Sequence, residues 1–546
     1  MSNSNAKPPV LQINSNKTGL ADGYVFIGVD GEPTSTQNWP TIWDMSEERM
    51  GTLVWTGNYT EPFDFRTQTY KGEPVLTFWS GELLGGYGHG AYYILNQSYS
   101  EIAVFSPVGF ENLGDLHEFS ITSDDTALVI IYTPKQADLS SVNGPADGWI
   151  FDSIFQEIDI RSGDLLFEWN ASTHVSVNET YEPLSDAGTK DAPFDFFHMN
   201  SVAKDQDGNY LISARVMKCV YKISGSGSNL GDIIWALGGK QSDFTIASDA
   251  VFAFQHDARW VDEEQTLMTI FDNGPTDFRN YSRGLLLNVA QNEKTVRLIH
   301  EFYNGAQTFG QFMGSLQTID PGNNETNYLV GYGSEPFFAE FDKDGNLLLD
   351  VQFGSTNVVT NYRAYKLPWQ GKPLTKPDIH WNKNDNKAYL SWNGATDIEQ
   401  WIVYTANATN GSTWLRAASA SRTGFETTFD LENITLNKYI RAKAVNGSGE
   451  ALGWTQASDG NALFDASGDA SDENNSTSSS VVSTSVAPTV SSFTVAAPSS
   501  SIIAAPSSSI IAAPSSSTSG AAVKLEQCMV EKVIIAIVAI GGVVLA

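Results

Sequence analysis

The chain has 546 residues, more than one ordinary domain needs. Only 17% of them are charged, yet 63 acidic against 32 basic side chains leave a net charge of −31, which repels phosphate backbones and excludes nucleic acid as a partner. Aromatic residues reach 12% and no sustained 3.6-residue periodicity precedes the C-terminus, so the expected fold class is all-β.

Residues 1–20 form an N-terminal extension without an apolar stretch of signal-peptide type, so an export signal is expected upstream of this start. The strand YVFIGV follows at Tyr24, and then a weak repeat begins. HEFSITSDDTALVIIY from His117, HMNSVAKDQDGNYLISAR from His198 and HDARWVDEEQTLMTIF from His256 each run from histidine through a strand to an acidic turn and a second strand. MGSLQTIDPGNNETNYLVGYG from Met313 is a fourth copy without the histidine, and the spacings are 81, 58 and 57 residues. Between these copies a glycine, a β-branched or leucine run and a tryptophan recur, ending at Trp55, Trp169 and Trp235. Repeats of this length predict a β-propeller, with room for six blades over residues 21–370. The strand at Tyr24 is placed to close the ring by pairing with the last blade.

Prolines and lysines in LPWQGKPLTKP break the pattern. Residues 375–457 then alternate as short strands, predicting a small fibronectin-III/Ig-like β-sandwich with no candidate site residues. Residues 458–520 are rich in Ser, Thr, Ala and Pro and predict a disordered stalk. Residues 521–546 end in VIIAIVAIGGVVLA, too short for a bilayer-spanning helix but suited to a GPI-type signal, with Ser519 and Gly520 as candidate lipid-attachment residues; a short tail anchor is the alternative. Sequons at Asn58, Asn96, Asn170, Asn178, Asn280, Asn324, Asn407, Asn433 and Asn446 predict N-linked glycans. The expected location is therefore extracellular, at the cell surface, anchored to the membrane through the C-terminus. Two cysteines, Cys219 and Cys528, lie in unlike segments and exclude a disulfide framework.

If the phasing holds, His117, His198 and His256 start equivalent inner strands and converge at one mouth of the channel. Asn200 follows His198 by two residues, on the same face of a regular strand, and Arg215 ends the next strand. Imidazoles, an amide and a guanidinium form a donor-rich pocket suited to an oxyanion. A three-histidine metal site is the competing reading, disfavoured by the nearby arginine and by the lack of a carboxylate at ligand spacing.

SIFQEIDIRSGDLLFEW, FFHMNSVAKDQDGNYLISAR, IIWALGGKQSDF and FQHDARW together resemble the arylsulfotransferase (ASST-type) family, in its fungal branch, over residues 22–455. The resemblance implies a six-bladed propeller and transfer of a sulfuryl group from an aryl sulfate to a phenol, independent of 3′-phosphoadenosine-5′-phosphosulfate and of any cofactor or metal. By that resemblance His256 is the nucleophile that becomes sulfohistidine. His198 and Asn200 bind the sulfuryl oxygens, Arg215 lies beside them, and His117 is a further catalytic histidine. A non-catalytic surface propeller that binds a glycan or a protein is the alternative.

Overall fold

The structure is a computed structural model that describes residues 7–31, 38–274, 279–320, 326–411, 413–468 and 470–471. The chain divides into Met1–Ser476 and Thr477–Ala546. The second unit lies outside the described residues, and with it Cys528, Ser519, Gly520 and the C-terminal apolar run.

The first unit is almost entirely antiparallel β. Up to Leu367 its strands fall into six groups in chain order. Sheet I has Tyr24–Asp30, Pro40–Asp44 and Thr52–Thr56, and sheet II runs from Phe63–Tyr70 to Glu101–Phe105. Sheet III runs from Gly114–Ile121 to Leu165–Asn170, joined to sheet II by the single pairing of Gly90 with Gly114. Sheet IV runs from Met199–Lys204 to Ile233–Gly238, sheet V from His256–Trp260 to Thr295–Phe302, and sheet VI from Ser315–Ile319 to Leu347–Gln352. Sheet I is completed from the far end of this region, since Tyr365–Leu367 pairs with Tyr24, Val25 and Phe26. The Tyr24 strand therefore does not join the last sheet as expected; it is Gln12–Asn16, in the N-terminal extension, that pairs antiparallel with Leu347–Gln352 of sheet VI.

Why the sequence repeats tryptophan is clear from the packing. Trp169 and Trp235 lie on the outermost strands of sheets III and IV and are fully buried. The Trp169 indole donates to Gly231 O of sheet IV's connection at 3.0 Å, and the Trp235 indole to Gln291 Oε1 of sheet V at 3.1 Å. Each tryptophan therefore both fills apolar space and locks its sheet to the next. The faces between sheets IV and V are filled by Leu211, Val220, Leu237, Ile270, Leu285 and Leu287.

The innermost strands are irregular in a shared way. Pairing shifts between Phe63 and Arg66, Met199 and Ser201, and His256 and Arg259. Asp64, His198 and Asp257 take left-handed φ of 53°, 55° and 57°. A bulge with such a residue turns the chain's side chains away from simple alternation. It aims Asp64 and Asp257 into a buried ionic cluster. Arg363, fully buried beside the closing strand, has Nη1 3.0 Å from Asp64 Oδ1, Nη2 3.4 Å from Glu118 Oε2 and Nε 3.5 Å from Asp257 Oδ1. Arg66 pairs with Glu118 at 3.0 Å, and Arg259 with Glu118 at 2.6 Å and with Asp257 at 2.9 Å. Burial alone would raise the Asp64 carboxyl, but Arg66, Arg363 and a hydrogen bond from Tyr365 hold it down at about 2.

Residues beyond Trp369 form a three-stranded sheet, Asp378–Asn382, Lys387–Ser391 and Glu426–Asp430, facing a larger sheet centred on Gln400–Ala406 and Tyr439–Val445. Trp381, Leu390, Trp401, Val403 and Phe429 fill the space between them. The larger sheet also takes in Leu463–Phe464 and Ala470–Ser471, inside the stretch read from sequence as stalk. This module is seated on sheet I through Gly394, whose N–H donates to Val54 O at 2.9 Å and whose carbonyl accepts from Tyr99 Oη at 2.8 Å. A Cβ there would lie 2.3 Å from the Tyr99 ring, so only glycine fits.

Arg363→Met should destabilise the protein by about 3–5 kcal/mol, because it strands Asp64 and Glu118 without their central countercharge. Arg49→Met, which breaks the 3.0 Å surface pair with the half-exposed Glu399, should cost no more than about 1 kcal/mol. Urea unfolding of the two variants beside the wild type measures the difference.

Candidate active site

Above the ionic cluster, at the end of the channel where the innermost strands begin, three histidines meet. They are not in equivalent register. His256 is the first residue of its strand, His198 immediately precedes its strand, and His117 is the fourth residue of its own. The offsets are absorbed by the bulges, and the His117 and His198 rings still reach each other edge to face at 5.0 Å between centroids. Tyr132 packs against both, at 5.6 and 5.8 Å.

Each histidine has a dedicated partner on Nδ1. Asp115 Oδ1 lies 2.5 Å from His117 Nδ1, and Asp195 Oδ2 lies 2.5 Å from His198 Nδ1. His256 Nδ1 instead meets Asn273 Oδ1 at 2.7 Å. The Asn273 amide is fixed by its nitrogen, which donates to Gly310 O at 2.7 Å and Met313 O at 2.9 Å. Its oxygen must therefore accept, so His256 carries its proton on Nδ1 and presents a lone pair on Nε2. That lone pair accepts from Met313 N–H at 3.2 Å, a long contact that an incoming electrophile would have to replace. Met313 has φ 63°, and Gly314 after it has φ 105° with its Cα against the Phe271 ring.

Electrostatics favour the neutral form. Burial, then repulsion from Arg215, push His256 well below the usual imidazole value; the bond to Asn273 opposes this, and His198 and His117 add to the lowering. His198 is also lowered, by burial first, with Asp195 opposing and His117 and Arg215 reinforcing. Arg215 stacks over Phe254 at 5.2 Å, and one Nη reaches Gln311 O at 3.3 Å. Its Nε is buried without a partner, so the guanidinium has unspent donors.

Asn200 departs from the sequence expectation. The left-handed His198 and the bulge at Asn200 break the two-residue alternation that would put both on one face. Its amide nitrogen donates to Gln255 O at 2.7 Å, behind His256, and its Oδ1 is buried without a partner. Tyr362 Oη lies 2.8 Å from His117 O and 3.0 Å from Asn200 O, and Arg363 Nη2 donates to both carbonyls at 3.1 and 2.8 Å. Backbone support for the site thus comes from the ionic cluster. Among the described residues no group of three or more His, Cys, Asp or Glu has an arrangement able to hold a metal ion.

Sequence reasoning missed Asp115, Asp195 and Asn273. The first two were visible as Asp two and three residues ahead of a histidine, in DLH and DFFH. Asn273, in FDNG at the end of the following strand, had no local signal.

Residues 66–354, more than half of the chain, match the family described as Arylsulfotransferase (ASST), and the chain belongs to that family. Its members are aryl sulfotransferases acting on aryl sulfates and phenols. No curated protein matches by sequence. Solved structures with similar strand arrangements include a protein of unknown function from Bacteroides caccae, 13% identical with a TM-score of 0.35, covering 63% of this chain and 98% of its own. A periplasmic gluconolactonase from Pseudomonas aeruginosa is 10% identical with a TM-score of 0.33, covering 81% and 98%. Likenesses this remote carry nothing about activity.

The two lowered histidines fix the sign of a pH effect. Below about pH 6.5 the unfolded chain protonates both while the native state resists, so the unfolded state binds more protons and stability falls as pH falls. The loss should approach about 1.4 kcal/mol per pH unit for each group. Chemical unfolding at pH 7.5, 6.5 and 5.5 should show a shallower decline for His256→Gln than for the wild type.

Proposed function

We propose that the protein transfers a sulfuryl group from an aryl sulfate to a phenol through a sulfohistidine at His256. The observation that carries this reading is the Asn273-fixed tautomer, which leaves a buried neutral imidazole with an Nε2 lone pair in surroundings made positive by Arg215. A neutral nitrogen nucleophile, not an imidazolium, is what attack on sulfur requires.

In the first half-reaction Nε2 attacks sulfur, the N–S bond forms, and the S–O bond breaks with its electron pair leaving on the phenolate. Arg215 and protonated His198 hold the sulfuryl oxygens. The Arg215 donors precede the substrate, so they need little reorganisation during the reaction. The anionic donor itself promotes His198 protonation. His117, oriented by Asp115, gives a proton to the departing phenolate. In the second half-reaction it takes the proton of the acceptor phenol, whose oxygen attacks sulfur and returns the electron pair to Nε2. Asn273 accepts the Nδ1 proton throughout, and a neutral acceptor there eases the ring's positive charge in the intermediate without protonating the ring at rest.

The remaining sequence expectations belong to the same reading. The six sheets serve as blades of one propeller spanning residues 21–370, followed by the sandwich, the stalk and a GPI-type anchor at Ser519 or Gly520, in the fungal branch of the family. N-glycosylation and an extracellular location are supported by the exposure of Asn58, Asn178, Asn280, Asn407 and Asn433.

The test is ping-pong turnover of 4-nitrophenyl sulfate. Nitrophenolate release should require a phenol acceptor and no nucleotide, and sulfur-35 from the donor should be recovered on the His256 peptide. His256→Ala should lower turnover by at least about a thousand-fold, and Asn273→Ala should lower kcat about 10²-fold by releasing the ring. Undiminished turnover in His256→Ala overturns the assignment. Release without acceptor makes the protein a sulfatase, and no release together with glycan binding makes it a display module.

A further inference from the structure

The channel has a second mouth, beyond the ionic cluster, which the proposed chemistry does not use. It opens as a cavity of about 480 Å³ between the far ends of the innermost strands. Two features set it apart from a solvent-filled funnel. Three of its lining side chains bury a polar atom without any partner: Arg66 Nε, Trp260 Nε1 and Thr318 Oγ1. Buried polar groups are nearly always paired, and three orphans facing one space mark a place built for a ligand. Between them the walls are apolar, formed by the Trp260 ring, Ile121, Leu316 and Leu367.

The orphans define the ligand's chemistry. Arg66 and Trp260 can only donate, and Thr318 can donate. The carboxylate and amide acceptors named next are already engaged. Asp257 is held by Arg259 and Arg363, and Gln68 Oε1 accepts from Ile121 N at 2.7 Å. Gln317 Oε1 accepts from Lys366 N at 2.6 Å. A water molecule brings two hydrogens that need acceptors, whereas a carboxylate brings acceptors alone. The carboxylates of the ionic cluster are matched by Arg66, Arg259 and Arg363, so they leave no uncompensated negative charge to repel an anion.

We propose that this opposite mouth binds a small carboxylate with an apolar body, its oxygens on Arg66 Nε, Trp260 Nε1 and Thr318 Oγ1 and its body against the Trp260 ring, Ile121 and Leu316. The site is separate from the histidines, and it stands whether or not the sulfuryl-transfer reading does.

The experiment is to soak crystals of the full chain in 4-bromobenzoate and to locate bromine by anomalous scattering. The expected result is a bromine peak in the lower cavity with the carboxylate at the three donors. In solution, 4-bromobenzoate should change tryptophan fluorescence saturably, and Trp260→Phe/Thr318→Val should weaken that binding at least tenfold while nitrophenyl sulfate turnover is unchanged. Thr318→Val alone, which removes a hydroxyl without altering shape, should weaken binding severalfold if the double variant fails to fold. Bromine found only at the histidine end, a lower cavity holding only water, or unchanged affinity in the variants overturns the proposal.

Discussion

The structure depends on Arg363. Its guanidinium sits fully buried at the centre of the channel and bridges Asp64 of sheet II, Glu118 of sheet III and Asp257 of sheet V. It also donates to the carbonyls of His117 and Asn200, on sheets III and IV. Since Arg363 lies two residues before the strand that completes sheet I, ring closure and assembly of the cluster are one event. Three carboxylates and three guanidiniums buried together gain little net energy over an apolar plug of the same volume. What the arrangement supplies is specificity of register. Only one alignment of the innermost strands brings all six charges together, and every other leaves a buried charge alone.

That register is what the histidines require. His117 and Glu118 are adjacent residues on a bulged strand, as are His256 and Asp257, so each histidine faces the mouth because its neighbour faces the cluster. A regular strand would give the same alternation, but it could not offset three histidines of unequal register toward one point. The left-handed residues at His198 and Asp257 do so. Backbone strain of this kind persists only where surrounding contacts over-determine it, and here the ionic cluster provides those contacts.

Much of this was legible in the sequence, for identifiable reasons. The histidine repeat and the Gly-to-Trp element are local patterns of strand, turn and strand, and they located the sheets and three of the site's side chains. The tryptophan element was legible as a recurrence, but its role as a lock between sheets and its partners, Gly231 and Gln291, were not. Asp115 and Asp195 could have been found, because a carboxylate shortly before each of two repeated histidines is itself a repeat. Asn273 and Arg363 could not. One acts across a hairpin and the other across some 245 residues, and neither contact leaves a trace in the spacing of nearby residues. The expectation for Asn200 failed for a different reason: period-two alternation presumes regular strand, and the sequence HMNS does not announce its bulge.

The absence of a carboxylate behind His256 carries the chemistry furthest. His117 and His198 are each backed by an aspartate at Nδ1, a charged acceptor that orients the ring. His256 is backed by an amide that can only accept, in surroundings whose burial and positive charge oppose a second proton. Three residues of one type are thereby divided into two with a carboxylate at Nδ1 and one with an amide there. The division rests on side chains at Nδ1, one layer away from any substrate. Exchange of the asparagine for aspartate at that layer would reassign the role of the histidine in front of it without touching the histidine itself.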